Sequence, residues 1–347
     1  RPLIWSILWF SIFAFLSGFS TSYAMLFAFR ALFGIGMGGE WAAGMPLALE
    51  HWPARYRGLA SGLLQGGWYW GFIVSALTFH FIYPIFSQFP DPFSESLEST
   101  IAWRVMFWTG VLPALLVLWI RSGVSESPVW IERQRQLQTR ADREAGNRVS
   151  LFRLFYPDLI GATIQSSLLM SVFMFSYYSI TFWYPTFLIE IGREPLGYLI
   201  TFNLGAILGM AAWGRASETQ LGRRGAVSLS ALIGVVSVPL FLAGGNSGLL
   251  WLGAFLMGAM GAGIWGMAPS YLTERFPTEV RGVGPGLAYH VGAAIGSLTP
   301  VVVGQLQDTG MTLTGAMRLC IVASGLVVAG MIWIGPETRG RAFADSP

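Results

Sequence analysis

Apolar runs close to the roughly 20 residues that cross about 30 Å of hydrocarbon recur from one end of the chain to the other, separated by short polar turns. Ten of them are predicted as membrane-spanning helices, at about 3–22, 24–48, 59–86, 103–120, 159–189, 196–214, 226–244, 248–272, 283–306 and 317–335. The runs are long and continuous rather than alternating, which excludes a β-barrel. Thirty residues are written twice: Gly34–Leu63 realigns on Gly258–Leu287 at a constant offset of 224. The matched pairs are Gly34/Gly258, Gly39/Gly263, Trp41/Trp265, Glu50/Glu274, Pro53/Pro277, Arg57/Arg281, Gly58/Gly282, Gly62/Gly286 and Leu63/Leu287. Each copy reads as one span, a charged turn and the start of the next span, so the chain is expected to consist of two related halves of a helical bundle.

Composition agrees with the pattern. With 54% hydrophobic and 11% charged residues, 347 residues carry too little polar surface to cover a water-soluble globule. All 21 basic residues are arginine, and threading the ten spans alternately puts most of them on one side: Arg55, Arg57, the arginines from Arg121 to Arg153, Arg215, Arg223, Arg224, Arg275, Arg281, Arg339 and Arg341. The positive-inside rule makes that side cytoplasmic. The opposite loops hold Asp91, Glu95, Glu98, Glu190, Glu194 and Asp308, so the net charge of +3 describes topology and not a nucleic-acid partner. A single cysteine, Cys320, excludes an internal disulfide and a cysteine metal cluster. No H-E-x-x-H or P-loop pattern is present, which argues against a membrane enzyme and an ATP-driven pump.

The predicted organisation is an N-terminal membrane half, 1–120, a cytoplasmic linker, 121–158, a C-terminal membrane half, 159–335, and a cytoplasmic tail, 336–347. The end of the linker, Leu151–Phe155, is amphipathic and suits the plane of the membrane interface. Two spans lie between Asp158 and Arg224 in the second half, and their first-half counterparts would precede residue 1; the expected parent is therefore a six-plus-six bundle, ten of whose twelve spans are carried here.

Charged side chains inside a span are costly and are functional candidates by default. Arg30 and Glu40 are such residues, ten positions and about 15 Å apart, too far to pair. Their repeat counterparts are Ala254 and Ile264, so neither belongs to the duplicated scaffold; each is either substrate or proton chemistry or a structural tie. Glu50 and Arg57, and Glu274 and Arg281, are duplicated loop charges expected to form an inner gate with Glu126, Arg223 and Arg224. Gln65, Trp68, Tyr69, Gln165, Tyr177, Tyr178, Asn203, Trp265, Tyr289 and His290 are candidates for a cavity wall, with Gln65 and Tyr289 as repeat partners. His290 either titrates near neutral pH or is simply hydrogen-bonded. Glycines four apart, Gly34/Gly38, Gly58/Gly62/Gly66, Gly282/Gly286 and Gly292/Gly296, predict close helix packing.

The residues resemble the major facilitator superfamily across essentially the whole chain. Arg30-Ala-Leu-Phe-Gly34-Ile-Gly36-Met-Gly38-Gly39-Glu40-Trp41 is similar to the signature of the family's fourth helix, and Ser125-Glu126-Ser127-Pro128-Val129-Trp130 to its P-E-S-P-x-W element. Gly335-Pro336-Glu337-Thr338-Arg339-Gly340 resembles the element after helix twelve, and Arg215-Ala-Ser-Glu-Thr-Gln-Leu-Gly222-Arg223-Arg224 the loop between helices eight and nine. Within the family, Gly38-Gly39-Glu40-Trp41 and the loop that follows are most similar to sialate and monocarboxylate proton symporters. Tyr184-Pro185-Thr186 matches the fungal-type permeases, while Tyr178, Thr181 and Phe182 stand where those carry His, Gln and Asp. Gly62–Gly71 lacks the helix-five proline of drug antiporters.

The resemblance implies an all-α membrane bundle and a proton-coupled symporter of a small organic anion, working by alternating access without a cofactor and as a monomer in the cytoplasmic membrane. Arg30 then serves the anion or the proton relay, and Glu40 is the protonatable group. Sugar uptake or drug efflux is the alternative.

Overall fold

The computed structural model describes residues 2–94, 99–115, 117 and 151–341. Among them every long element is helical. Seven stretches are long and apolar enough to cross a membrane: Ala54–Phe86, Ile160–Glu190, Pro195–Ala216, Gly222–Phe241, Ser247–Arg275, Val283–Asp308 and Leu313–Ile334. The other three expected spans differ. Residues 3–22 form a 16-residue helix, α1 (Pro2–Ser17). Residues 24–48 lie in a 28-residue helix, α2 (Tyr23–Glu50), whose glycines and two internal charges dilute its apolar character. Residues 103–120 begin as α4 (Ala102–Trp108), continue as a 3₁₀ turn, Thr109–Leu115, and then pass largely outside the described residues.

The chain divides into two compact units, Arg1–Leu47 with Phe72–Ile131, and Ala48–Gly71 with Glu132–Pro347. Helices α2 and α3 (Arg57–Phe86) contribute to both units. In the first unit, α1 packs against α4 and the 3₁₀ turn. A Cβ on Gly18 would strike Trp108, and one on Gly110 would strike Ala14. The glycines that bring α1 and α2 together are Gly36, against Trp9 and Phe10, and Gly39, against Ser6; a Cβ on Gly34 would meet nothing within 4 Å. The expected Gly34/Gly38 packing face is thus corrected, because the side-chain-free stripe facing α1 begins two residues further on.

In the second unit, α5 (Ile160–Thr181) lies along α11 (Val283–Gly296), with Gly292 against Met170 and Gly296 against Met174. The hairpin Ala48–Gly71 belongs to this unit because it meets α7 (Pro195–Ala216) backbone to backbone. Gly58 lies on the carbonyl of Gly214, and Gly62 on that of Met210. Gly66 approaches only Ile207, at 3.9 Å, and stands outside that seam.

Two expected spans are interrupted. α5 ends before Phe182–Trp183 and resumes as α6 (Tyr184–Glu190), while α11 ends before Ser297–Leu298 and resumes as α12 (Thr299–Asp308). Each restart carries a proline within its first two positions, where the missing N–H costs nothing. The span Ser247–Arg275 is α-helical as α9 (Ser247–Leu256), a π turn at Met257–Gly261, 3₁₀ at Gly263–Gly266, and α-helical again as α10 (Ala268–Arg275). The two remaining long helices are α8 (Gly222–Phe241) and α13 (Leu313–Met331).

Candidate functional site

Most of the expected wall residues gather in the second unit around Tyr177. Trp68 donates its indole N–H to the Tyr177 hydroxyl at 2.9 Å. Tyr69 meets the Tyr177 ring edge-on at 6.5 Å, Trp265 meets it at 5.8 Å, and Tyr178 at 5.2 Å. Trp265 reaches on to Tyr289 at 6.3 Å, which in turn packs on His290 at 5.4 Å. Such edge-to-face contacts set the positive rim of one ring against the negative face of the next. Gln65 and Tyr69 are four residues apart on α3 and so share a face. Trp265 sits in the 3₁₀ segment of the interrupted span, where its backbone leaves the helical ladder.

Three buried polar atoms of this cluster have no partner: Gln65 Oε1, Tyr69 OH and Trp265 Nε1. Their side chains are 6%, 1% and 4% exposed. An unmet buried hydrogen-bonding group costs about 1–3 kcal/mol, so the cluster is a polar-lined aromatic niche with unused donors and acceptors. His290 is explained locally: its Nδ1 stands 2.6 Å from the Gly286 carbonyl one turn back. Asn203 likewise donates to Leu199 within its own helix at 2.6 Å. Gln165 lies elsewhere, donating to the Tyr271 hydroxyl at 3.4 Å and accepting from Arg275 at 3.2 Å.

The duplicated charges form crossed pairs. Arg57 Nη1 is 3.2 Å from Glu274 Oε1, and Arg281 Nη1 is 3.4 Å from Glu50 Oε1. Arg223 joins the first pair, donating to Glu274 through Nη2 at 3.0 Å and Nε at 3.2 Å, and to Glu218 through Nη1 at 2.9 Å. Thr338 adds a hydroxyl to Glu274 at 2.8 Å, and Glu218 also takes the N–H of Gly58. Burial lowers the pKa of Arg281, against the opposing pull of Glu50. Arg224 turns away from the cluster, standing over the Trp333 ring at 4.8 Å and 3.8 Å from Glu337. Glu126 lies outside the described residues.

Arg30 and Glu40 belong to the first unit and are not paired with one another. Arg30 is exposed, with its guanidinium 4.1 Å from the Phe33 ring centroid and 5.6 Å from that of Phe107. Glu40 is half-buried in α2, and a Cβ on Gly44 would lie 3.2 Å from its Oε1.

Two further charged arrangements were not assigned from the sequence. Glu337 accepts backbone N–H groups from Arg223, Arg224, Thr338 and Arg339. Burial pulls its pKa upward, but those four donors prevail and hold it below the usual carboxylate range. The Pro-Glu-Thr-Arg motif marked this residue; only the fold shows that it anchors the tail to the start of α8. Asp91 and Arg104 form a buried ion pair in the first unit, 2.7 Å apart. Nothing in their spacing along the sequence signals it.

A helical chain with repeated membrane-length spans, small-residue seams and an aromatic niche is a multi-pass membrane carrier. The model of the Major Facilitator Superfamily matches residues 1–300, and the chain belongs to that family, whose members are transporters rather than enzymes. The "Probable 4-methylmuconolactone transporter" of Cupriavidus pinatubonensis is 34% identical over 99% of this chain and 77% of its own length. The sialic acid transporter NanX of Escherichia coli is 30% identical over 86% of this chain and 69% of its own length. Among solved structures, the proton:xylose symporter XylE aligns with a TM-score of 0.69 over 97% of this chain and 81% of that one, at 18% identity, a likeness of fold.

Proposed function

We propose that the protein carries a small organic anion together with protons by alternating access, through ten spans whose arginine-rich loops face the cytoplasm. The observation that carries this reading is the trio of buried, unpartnered polar atoms, Gln65 Oε1, Tyr69 OH and Trp265 Nε1, on the aromatic surfaces around Tyr177. A flat ligand with acceptor oxygens answers both features: a carboxylate accepts from Trp265 and Tyr69, its body lies against the rings, and a ligand hydroxyl meets Gln65. Neutral donors hold an anion without the deep trap that a buried arginine would set, so release on the far side stays possible. The relatives described as transporters of 4-methylmuconolactone and of sialic acid support an oxygen-rich, acidic cargo.

In this reading Arg30 and Glu40 serve the anion and proton path, and Glu40 is the group that takes the proton. The crossed pairs Arg57–Glu274 and Glu50–Arg281, with Arg223 and Glu126, form the cytoplasmic gate, and Arg224, turned toward Trp333 and Glu337, stands beside it. Individually such pairs are worth little when exposed; several together bias an equilibrium of a few kcal/mol. The driving force is the proton gradient, no cofactor takes part, and the monomer is the working unit in the cytoplasmic membrane.

The test is uptake of labelled sialate, lactate, pyruvate and glucose by membrane vesicles from cells expressing the full-length protein, acid outside, with and without an uncoupler. Accumulation of an acid that collapses with the uncoupler is expected. Uptake of glucose alone, or acid uptake indifferent to the uncoupler, overturns the proposal.

A further inference from the structure

The first unit holds a cavity of about 790 Å³ that shares no residue with the aromatic niche, within the range of small-molecule sites. It is lined by the turn after α1, by Asp91, Phe93 and Ser99, and by Trp103 and Arg104. In the proposed threading these loops face the outside.

Arg104 is 2% exposed, and its bonds are unequal. Nε reaches both oxygens of Asp91, at 2.8 and 2.7 Å, and Nη1 donates to the carbonyls of Gly18 at 3.0 Å and Ser20 at 2.6 Å. Nη2 carries no bond to a described residue. The Asp91 oxygens are also taken by the Phe93 N–H at 2.9 Å and the Ser99 hydroxyl at 3.3 Å. Ser20, 4% exposed, has a hydroxyl with no partner. Ser22 accepts the Met25 N–H at 3.2 Å, which leaves its own proton to give. The Asp91 carboxylate is therefore occupied while the Arg104 Nη2 and the Ser20 and Ser22 hydroxyl protons remain to be given, and the rings of Trp103 and Phe93 stand 4.3 and 5.0 Å from the guanidinium.

We propose that this cavity is an outer capture site for a small monocarboxylate, its oxygens on Arg104 Nη2 and the Ser20 hydroxyl and its body against Trp103 and Phe93. The proposal rests on the transport reading for the membrane side and for the anionic cargo. Asp91 cancels most of the arginine's charge, which favours a single carboxylate over a polyanion and makes binding weak and release fast, as suits a site at the mouth of a carrier.

The experiment places one cysteine at the rim, Thr21→Cys, in the full-length protein with Cys320→Ala, and follows its labelling by an uncharged, membrane-impermeant maleimide. Millimolar benzoate is expected to slow labelling roughly fivefold, about 1 kcal/mol, while the neutral isostere benzamide leaves it unchanged and Ser20→Ala abolishes the protection. Absence of protection by benzoate, or equal protection by benzamide, overturns the site. Protection that disappears when Tyr177→Phe and Trp265→Phe are introduced also overturns it, because the effect would then be relayed from the aromatic niche. Proton-driven uptake by the same vesicles reads the transport proposal separately: lost uptake with retained protection defeats that reading and leaves the capture site standing.

Discussion

Arg57 and Glu274 are 217 positions apart in the chain and meet at 3.2 Å, while their counterparts in the other copy of the repeat, Glu50 and Arg281, meet at 3.4 Å. Each glutamate therefore pairs with the arginine of the opposite copy and not with the one seven residues ahead of it. The duplicated spacing is a pseudo-symmetric clasp. Its two glutamates differ in depth: the Glu274 side chain is fully buried, where it also holds Arg223 and Thr338, and that of Glu50 is 10% exposed.

That asymmetry makes the two glutamates unequal. Glu274→Gln leaves two buried arginines without their shared carboxylate and is expected to cost about 3–5 kcal/mol, well beyond the cost of Glu50→Gln. Melting of the purified protein in detergent measures both. Equal losses would show that Glu274 is not the centre of the cluster.

The niche around Tyr177 predicts a binding defect without a folding defect. Tyr177→Phe removes the acceptor of the Trp68 N–H, and Trp265→Phe removes an unpartnered donor. Each is expected to weaken substrate about tenfold, near 1.4 kcal/mol, with little change in melting. Unaltered affinity in both variants would place the substrate elsewhere.

Glu40→Gln mimics a permanently protonated group. Counterflow is expected to survive while accumulation driven by a pH gradient is lost. Full gradient-driven accumulation by the variant excludes Glu40 as the coupling residue.

Asp91 sets an acid limit on stability. Burial raises its pKa, but the Phe93 N–H, Arg104 and Ser99 outweigh this and hold it below the normal carboxylate value. A group more acidic when folded stabilises the fold above its unfolded pKa, near 4, and that contribution drains away as pH falls through the lowered folded value. Melting temperature is expected to drop on acidification below about pH 4 more steeply in the wild type than in Asp91→Asn. Parallel curves would remove Asp91 from the account.

Glycine packing separates two substitutions of the same chemistry. Gly62→Ala drives a methyl into the Met210 carbonyl and is expected to cost about 1–3 kcal/mol. Gly34→Ala enters open space and is expected to gain up to about 1 kcal/mol from helix propensity. Melting of both variants decides the matter, and a tolerated Gly62→Ala would contradict the seam.

The sequence pattern carried what depends on repetition and apolar length: the helical fold, seven of the expected spans, the loop charges, and the candidate wall residues Trp68, Tyr69, Tyr177, Trp265 and Tyr289. It missed what depends on three-dimensional register. Gly34 and Gly36 look alike on paper, yet only the second faces α1. Gln165 has a polar side chain within a span like Gln65, but the turn of its helix delivers it to Tyr271 and Arg275. Asp91 and Arg104 lie 13 residues apart with no periodic relation, and only the fold, which sets Arg104 on the Gly18 and Ser20 carbonyls of the turn after α1, makes them a buried pair.

The interrupted span Ser247–Arg275 meets α7 main chain to main chain at four glycines, Gly258 on the Phe202 carbonyl, Gly205 on that of Phe255, Gly209 on Ala259 and Gly266 on Met210, while Trp251 stacks on Tyr198 near its start. At those four contacts there are no rotamers to reset, so flexing there exchanges hydrogen bonds among carbonyls three, four and five residues back instead of repacking side chains. Its tolerance to change is correspondingly abrupt. A single methyl at any of these four glycines acts as a wedge, and the effect should register in how fast the carrier turns over before it registers in what the carrier binds.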